Sequence, residues 1–257
     1  MVRWSWWVVL WLSLPVAAAP TAQNYFQQGS QALAQGRTER SVDYFEQALE
    51  LNPDLALAWR GLGVALGKQG KWQESAQAHR RATRLLPQNA QGWLNLGWAE
   101  HRSGNDKVAA RVLNHAQELA PQDPKIPNAL GIVYLFLDQP QRAETATRRV
   151  LSLDPKNGTA HYNLGLALHR LGRWSESISH LTQAQGYEPR NPHPQVALAM
   201  VHHAANQPKA ALASYQRTVQ MDSRYRRASY LDTLLQADFS PAQVAQVKQV
   251  HQWWLQK

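Results

Sequence analysis

Residues 58–87 read "AWRGLGVALGKQGKWQESAQAHRRATRLLP", and this stretch decides the fold. Trp59, Leu62 and Leu66 fall at the spacing of one apolar helix face. Gly63 interrupts that face, where a glycine costs about 0.8–1 kcal/mol relative to alanine. A residue kept at that cost implies that another backbone or side chain comes close. Gly70 then marks a turn, because glycine adopts without penalty the left-handed conformation that closes a helix. A second helix follows, with Ser75 and Ala82 on its inner side. It ends before Pro87, since proline cannot continue a helix and restricts the residue before it.

The same grammar returns every 34 residues in both directions. One column runs Gly29, Gly63, Gly97, Gly131, Gly165 and Ala199. A second runs Pro53, Pro87, Pro121, Pro155 and Pro189, with Ser223 in sixth place. A third runs Ala48, Ala82, Ala116, Val150, Ala184 and Thr218. Turn positions recur as Gly36, Gly70, Gly104, Asp138, Gly172 and Asn206, all residue types that tolerate positive φ. Ser41, Ser75, Ala109, Ala143, Ser177 and Ala211 form a facing column of small residues on the second helix. Pro140 and Pro208 open two of the second helices, where a missing N–H is harmless. Each copy is therefore a helix pair in which the second helix crosses close to the first.

These columns resemble the tetratricopeptide repeat, most fully in residues 58–87. The resemblance covers six repeats, 22–55, 56–89, 90–123, 124–157, 158–191 and 192–225, within a body of residues 19–225. It implies an all-α fold: a right-handed superhelical solenoid of antiparallel helix pairs with a concave groove lined by the first helices. Three departures are local. Pro127 stands at the usual bulky opening position and predicts a late start for the first helix of the fourth repeat. His79 and Thr147 replace large apolar residues, predicting looser packing there.

Residues 226–257 lie beyond the repeats and are expected to form C-terminal capping helices, since a terminal repeat has no neighbour to cover it. "RRASYLDTLLQADF" (226–239) reads as one helix. In the next, Ser240, Pro241 and Gln243 make a capping box with proline at the first helical position. Val244, Val247, His251 and Trp254 then share one stripe, with Trp253 off it. This helix either covers the sixth repeat or docks on a second copy to form a homo-oligomer.

Charge and composition narrow the function. The chain carries 27 Lys and Arg against 18 Asp and Glu, and no Cys. Lack of Cys removes disulfides, thiolate nucleophiles, Cys-ligated zinc and lipoprotein-type acylation. Eight cations against three acids over residues 190–257 make the C-terminal end the most basic part. Arg224, Arg226 and Arg227 in "RYRR" are a candidate anion patch, an alternative route to an anionic polymer or membrane surface. No nucleic-acid partner is expected.

Catalytic and metal motifs are lacking. No HExxH, nucleophile elbow or dinucleotide fingerprint occurs. "GLGVALGKQG" (61–70) has glycines and a lysine, but Gly63 and Gly70 belong to the repeat columns and no strand precedes them. Adjacent His202 and His203 diverge by about 100° on a helix. The reading is a non-enzyme with no metal and no cofactor.

What remains is the groove. Removing the packing columns leaves Leu57, Arg60, Val64 and Lys68 in the second repeat, and Leu94, Trp98, His101 and Arg102 in the third. The fourth contributes Lys125, Asn128, Ile132 and Phe136, the fifth Tyr162, Leu166, His169 and Arg170, and the sixth Met200. Aromatic anchors among aliphatic residues with a cationic edge make a peptide-binding surface. Some members of the family hold C-terminal carboxylates with a Lys/Asn/Arg clamp; Arg60, Asn95 and Lys125 match part of it, whereas Val64 and Ala129 do not. The expected function is a scaffold holding a protein or peptide segment, in assembly or maintenance of a bacterial envelope.

Export is read from the N-terminus. "MVRWSWWVVLWLSLPVAAAP" has one charge, Arg3, then an apolar run and small residues, the layout of a signal peptide over residues 1–18. Its run is shorter than the roughly 20 residues a membrane-spanning helix needs. Val16 and Ala18 satisfy a small-residue cleavage rule and leave Ala19 as the new terminus. An uncleaved segment would instead anchor the protein to the membrane. Either way the body is expected to be periplasmic or envelope-associated. Mass spectrometry of the protein from cell fractions is expected to find Ala19 first; intact Met1 in the membrane pellet would overturn cleavage.

Overall fold

A computed structural model describes residues 20–257; the expected signal segment and its cleavage site lie outside them. Helices form six consecutive pairs: α1 (Ala22–Ala34) with α2 (Thr38–Leu51), α3 (Ala56–Lys68) with α4 (Trp72–Leu85), and α5 (Ala90–Arg102) with α6 (Asp106–Leu119). The series continues with α7 (Lys125–Phe136) and α8 (Pro140–Leu153), α9 (Gly158–Arg170) and α10 (Trp174–Tyr187), and α11 (Pro192–Ala204) and α12 (Pro208–Met221). Each helix packs on the one before and the one after, which is the architecture of a solenoid.

The turns obey the sequence reading at all six positions. Gly36, Gly70, Gly104 and Gly172 have φ between 71° and 85°, and Asp138 and Asn206 have φ of 53° and 56°. The glycine column faces the second helix of its own pair. A Cβ on Gly29 would lie 2.8 Å from the Phe45 ring, and one on Gly97 or Gly165 would lie 2.5 Å from Leu113 or Leu181. His79 and Thr147 occupy that same pressing position, 2.6 Å and 2.7 Å from a Cβ on Gly63 and Gly131. Both are buried, so the expected looseness is not a gap. Burial holds the His79 imidazole down at about 4, with Arg60 adding to the effect, so the ring is neutral.

The small column adds a hydrogen bond wherever it is serine. The hydroxyls of Ser41, Ser75 and Ser177 donate to the carbonyls of Gly29, Gly63 and Gly165 at 2.7–2.9 Å. Close approach of the two helices therefore brings a backbone carbonyl within reach of the neighbour's side chain. A second recurring bond links repeats. Trp59 Nε1 donates to Pro53 O at 2.7 Å, Trp93 Nε1 to Pro87 O at 2.8 Å, and His161 Nε2 to Pro155 O at 3.0 Å. Pro127 cannot make this bond, yet α7 starts at Lys125, only one residue behind the repeat register. A proline in the first turn leaves no intrahelical bond unmade.

After α12 the expected capping helix over 226–239 differs in type. Ser223–Arg226 and Ala228–Ala237 are 3₁₀ stretches, ended by Asp238 with φ of 65°. Through these stretches the chain returns to the inner side of the array, where the Ala237 and Asp238 carbonyls meet Tyr162 and Arg170. Then α13 (Pro241–Leu255) begins at the Ser240/Gln243 capping box and packs on both α11 and α12. Val244, Val247 and His251 are buried and Trp253 is exposed.

Two glycine substitutions separate a packing glycine from a permissive one. Gly165→Ala drives a methyl into Leu181 and should destabilise by about 1–3 kcal/mol. Gly186, on α10, leaves open space around an added methyl, with nothing within 4 Å, so Gly186→Ala should stabilise by up to about 1 kcal/mol. Denaturation midpoints of the two variants check both signs.

Candidate functional site

Successive first helices touch one another along the array, whereas second helices of neighbouring repeats do not form comparable contacts. That asymmetry bends the solenoid with α1, α3, α5, α7, α9 and α11 inside. Equivalent positions therefore form rows along the concave face. One row is Arg60, Leu94, Asn128, Tyr162 and Val196; the next is Val64, Trp98, Ile132, Leu166 and Met200; a third is Lys68, Arg102, Phe136 and Arg170.

In the fifth and sixth repeats these row positions are buried, except half-buried Arg170. Leu57, Arg102, Lys125 and Phe136 are exposed, and Arg60, Val64, Trp98, His101 and Asn128 are half-buried. Leu94 and Ile132 are buried in the repeat packing. Tyr162, Leu166, His169 and Met200 are buried for another reason, which corrects their reading as open groove: the C-terminal segment covers them.

This covering is polar as well as apolar. Tyr162 Oη donates to Ala237 O. Arg170 donates through Nη1 to Leu135 O, through Nη2 to Asp238 O at 3.3 Å, and through Nε to Gln243 Oε1 at 3.1 Å. The same Gln243 oxygen accepts from Ser240 N at 2.9 Å, so the capping box of α13 also fastens it to the groove. Gln243 Nε2 lies 3.4 Å from Leu166 O and 3.2 Å from His169 Nδ1. Leu231, Leu234, Phe239, Val244, Val247 and Val250 belong to the same buried cluster as Tyr162, Leu166, Val196 and Met200. Trp253 packs on His203 in a tilted arrangement with ring centroids 4.7 Å apart.

Burial shifts the groups in this seam. It pushes the Tyr162 hydroxyl well above its usual range and holds His169 down at about 4. It also raises the Asp238 carboxyl to about 6, against the pull of His101, Arg170 and Arg102. Tyr162 and His169 are thus neutral structural partners, and Arg170 is committed to the chain's own carbonyls.

The open part of the groove spans the second to fourth repeats. Trp98 stands edge-on to His101 at 5.9 Å, and His101 to Phe136 at 4.7 Å. His101 Nδ1 is 2.5 Å from Asp106 Oδ1, which orients the ring. The Arg102 guanidinium lies over the Trp72 ring at 5.1 Å. Asn95 is engaged by Gln91 at 2.7 Å. In the alternative anion patch, Arg224 pairs with Asp222 at 2.8 Å and lies over Tyr230 at 4.8 Å, while Arg226 and Arg227 are exposed. Arg224 thus anchors the turn after α12. The sequence reading missed Asp238, Phe239 and Gln243 as groove residues; no repeat period marks them.

An all-helical solenoid with such an inner face is a scaffold of the protein-binding type. The chain belongs to the tetratricopeptide repeat family, whose model matches residues 26–90, 64–124 and 128–194. No curated protein matches it by sequence. Among solved structures it is similar to YrrB, described as a TPR protein with an unusual peptide-binding site, at 21% identity and a TM-score of 0.61, covering 67% of this chain and 89% of that one. PilW, described as a widely conserved type IV pilus biogenesis factor, aligns with a TM-score of 0.69 at 17% identity, covering 79% of this chain and 94% of its own. Pseudomonas aeruginosa pilF aligns at 0.65 and 18%, covering 79% and 92%. At these identities the likeness shows the fold alone.

The covering segment makes a stability prediction. A chain ending at Phe239 loses α13 and exposes the apolar seam over α11. It should melt at a lower temperature than the full chain, with an unchanged oligomeric state by light scattering. A change in oligomeric state without loss of stability would mark α13 as a dimer element instead.

Proposed function

We propose that the protein is an exported, non-catalytic scaffold that holds a segment of a partner protein in the open groove of its second to fourth repeats. Its place would be the assembly or maintenance of a bacterial envelope. The observation that carries the groove reading is a continuous inner surface in which Leu57 and Phe136 are exposed, Val64 and Trp98 are half-buried, and cations flank them. Apolar anchors surrounded by polar rim residues are what a segment-binding site requires. The N-terminal segment supports export, and the likeness to PilW, a type IV pilus biogenesis factor, supports an envelope setting.

The groove is tested far from the C-terminal seam. Leu57→Asp with Val64→Asp places two charges on the open face of α3 without touching the glycine contacts. Crosslinking and affinity recovery from the native compartment should then lose the partner recovered by the wild-type chain, at unchanged melting temperature. Equal recovery from both chains would refute the groove as the binding surface.

A further inference from the structure

The open groove does not run out into solvent; it ends at a wall. Where the row Lys68, Arg102 and Phe136 meets the returning C-terminal segment there is a cavity of about 570 Å³. Its walls are Leu135 and Phe136 from the end of α7, Leu235 and Phe239 from the segment after α12, and Pro241 from the start of α13. Phe136 and Leu235 stand at 44% and 40% exposure, so the mouth is apolar and uncovered. The cavity lining also carries Arg170 against two carboxylates, Asp138 and Asp238, so it has no unpaired cation to offer an acid. A neutral apolar side chain fits such a site better than a charged one.

Charge along the groove leading to it is one-sided. Among the described residues the six first helices carry Arg60, Lys68, Arg102, Lys125 and Arg170 but a single acid, Glu100. Glu100 is fully buried and paired with Arg80 of α4 at 2.5 Å. Every other acid lies on a second helix, in a turn or in the C-terminal segment. Arg170 is committed to internal acceptors; Arg60, Lys68, Arg102 and Lys125, carried by the inner helices, pair with no carboxylate among the described residues, and Arg102 lies over the Trp72 ring.

We infer that the cavity between the fourth repeat and the C-terminal segment is an anchor pocket for one aromatic or branched apolar side chain of an acidic partner segment, whose carboxylates lie along Arg60, Lys68, Arg102 and Lys125. This rests on the groove reading above and gives it a partner chemistry. Acidic residues match the cations, and the anchor fixes the register in which the segment stops at the wall.

The probe is a labelled peptide of Glu and Ser with a single Phe, long enough to span the second to fourth repeats, measured by fluorescence anisotropy on the full chain. Controls are the same peptide with Phe replaced by Ser, and one with Lys in place of Glu. The Glu/Phe peptide should bind at least about tenfold more tightly than either control, and its binding should weaken as salt rises. Ala242→Trp, at an exposed position of the cavity lining, fills the pocket. It should reduce binding of the Phe peptide to that of the Ser peptide without changing the melting temperature. Equal binding of the Phe and Ser peptides, or no effect of Ala242→Trp, would overturn the pocket. No preference for Glu over Lys would overturn the acidic partner. Either failure, alongside loss of the native partner in the Leu57/Val64 variant, would leave the groove reading standing; equal partner recovery from that variant would overturn the groove itself.

Discussion

The structure depends on the contact between the glycine column and the side chain that the second helix presses onto it. Phe45, His79, Leu113, Thr147 and Leu181 each occupy the space a methyl would need on Gly29, Gly63, Gly97, Gly131 and Gly165. A ring, an imidazole, a branched chain and a hydroxyl all serve, because the demand is for closeness more than for a particular shape. The sixth pair carries Ala199 in place of glycine, with fully buried Tyr215 at the pressing position. This approach sets the spacing within each pair. The Trp–Pro and His–Pro bonds tie the opening of a first helix back to the preceding loop. Together they fix where the inner rows of side chains lie.

Segregation of charge follows from that geometry. Acids gather on second helices and turns, where they pair across repeats: Arg173 and Arg148 both reach Glu144 and Glu176 on the outer face. The first helices are left basic and apolar. Against this background the C-terminal segment behaves as a permanent occupant of the last two repeats. It supplies acceptors from Ala237 and Asp238 and donors from Gln243, and it buries Leu231, Leu234 and Val247 completely. Whereas both amide atoms of buried Asn163 find no partner, Tyr162 and Arg170, which this burial would otherwise strand, are met by the same segment. Its cost is the loss of the fifth and sixth repeats as open groove; its result is a closed end with a defined cavity.

The repeat, its turns and its packing glycines were legible in the sequence because the contacts behind them are short-range and recur. A small residue twelve positions after the column glycine, three times a serine bonded to its carbonyl, and a pressing residue sixteen after it leave columns that recur from copy to copy. Leu57, Arg60, Val64 and Trp98 could be picked out for the same reason, as what remains when the columns are removed. Burial of Tyr162, Leu166, His169 and Met200 was not legible. The bonds responsible join residues 68 to 77 positions apart, each made once, so no period announces them. The capping box at Ser240 was visible, but not that its Gln243 would also clasp Arg170. By itself the sequence determined a six-repeat helical array and a basic, acid-poor inner face, since both are local properties of helices. Only the tertiary structure decided how far that face stays open, because a single non-repeating segment folds back along it and where it lands depends on the curvature of the whole stack.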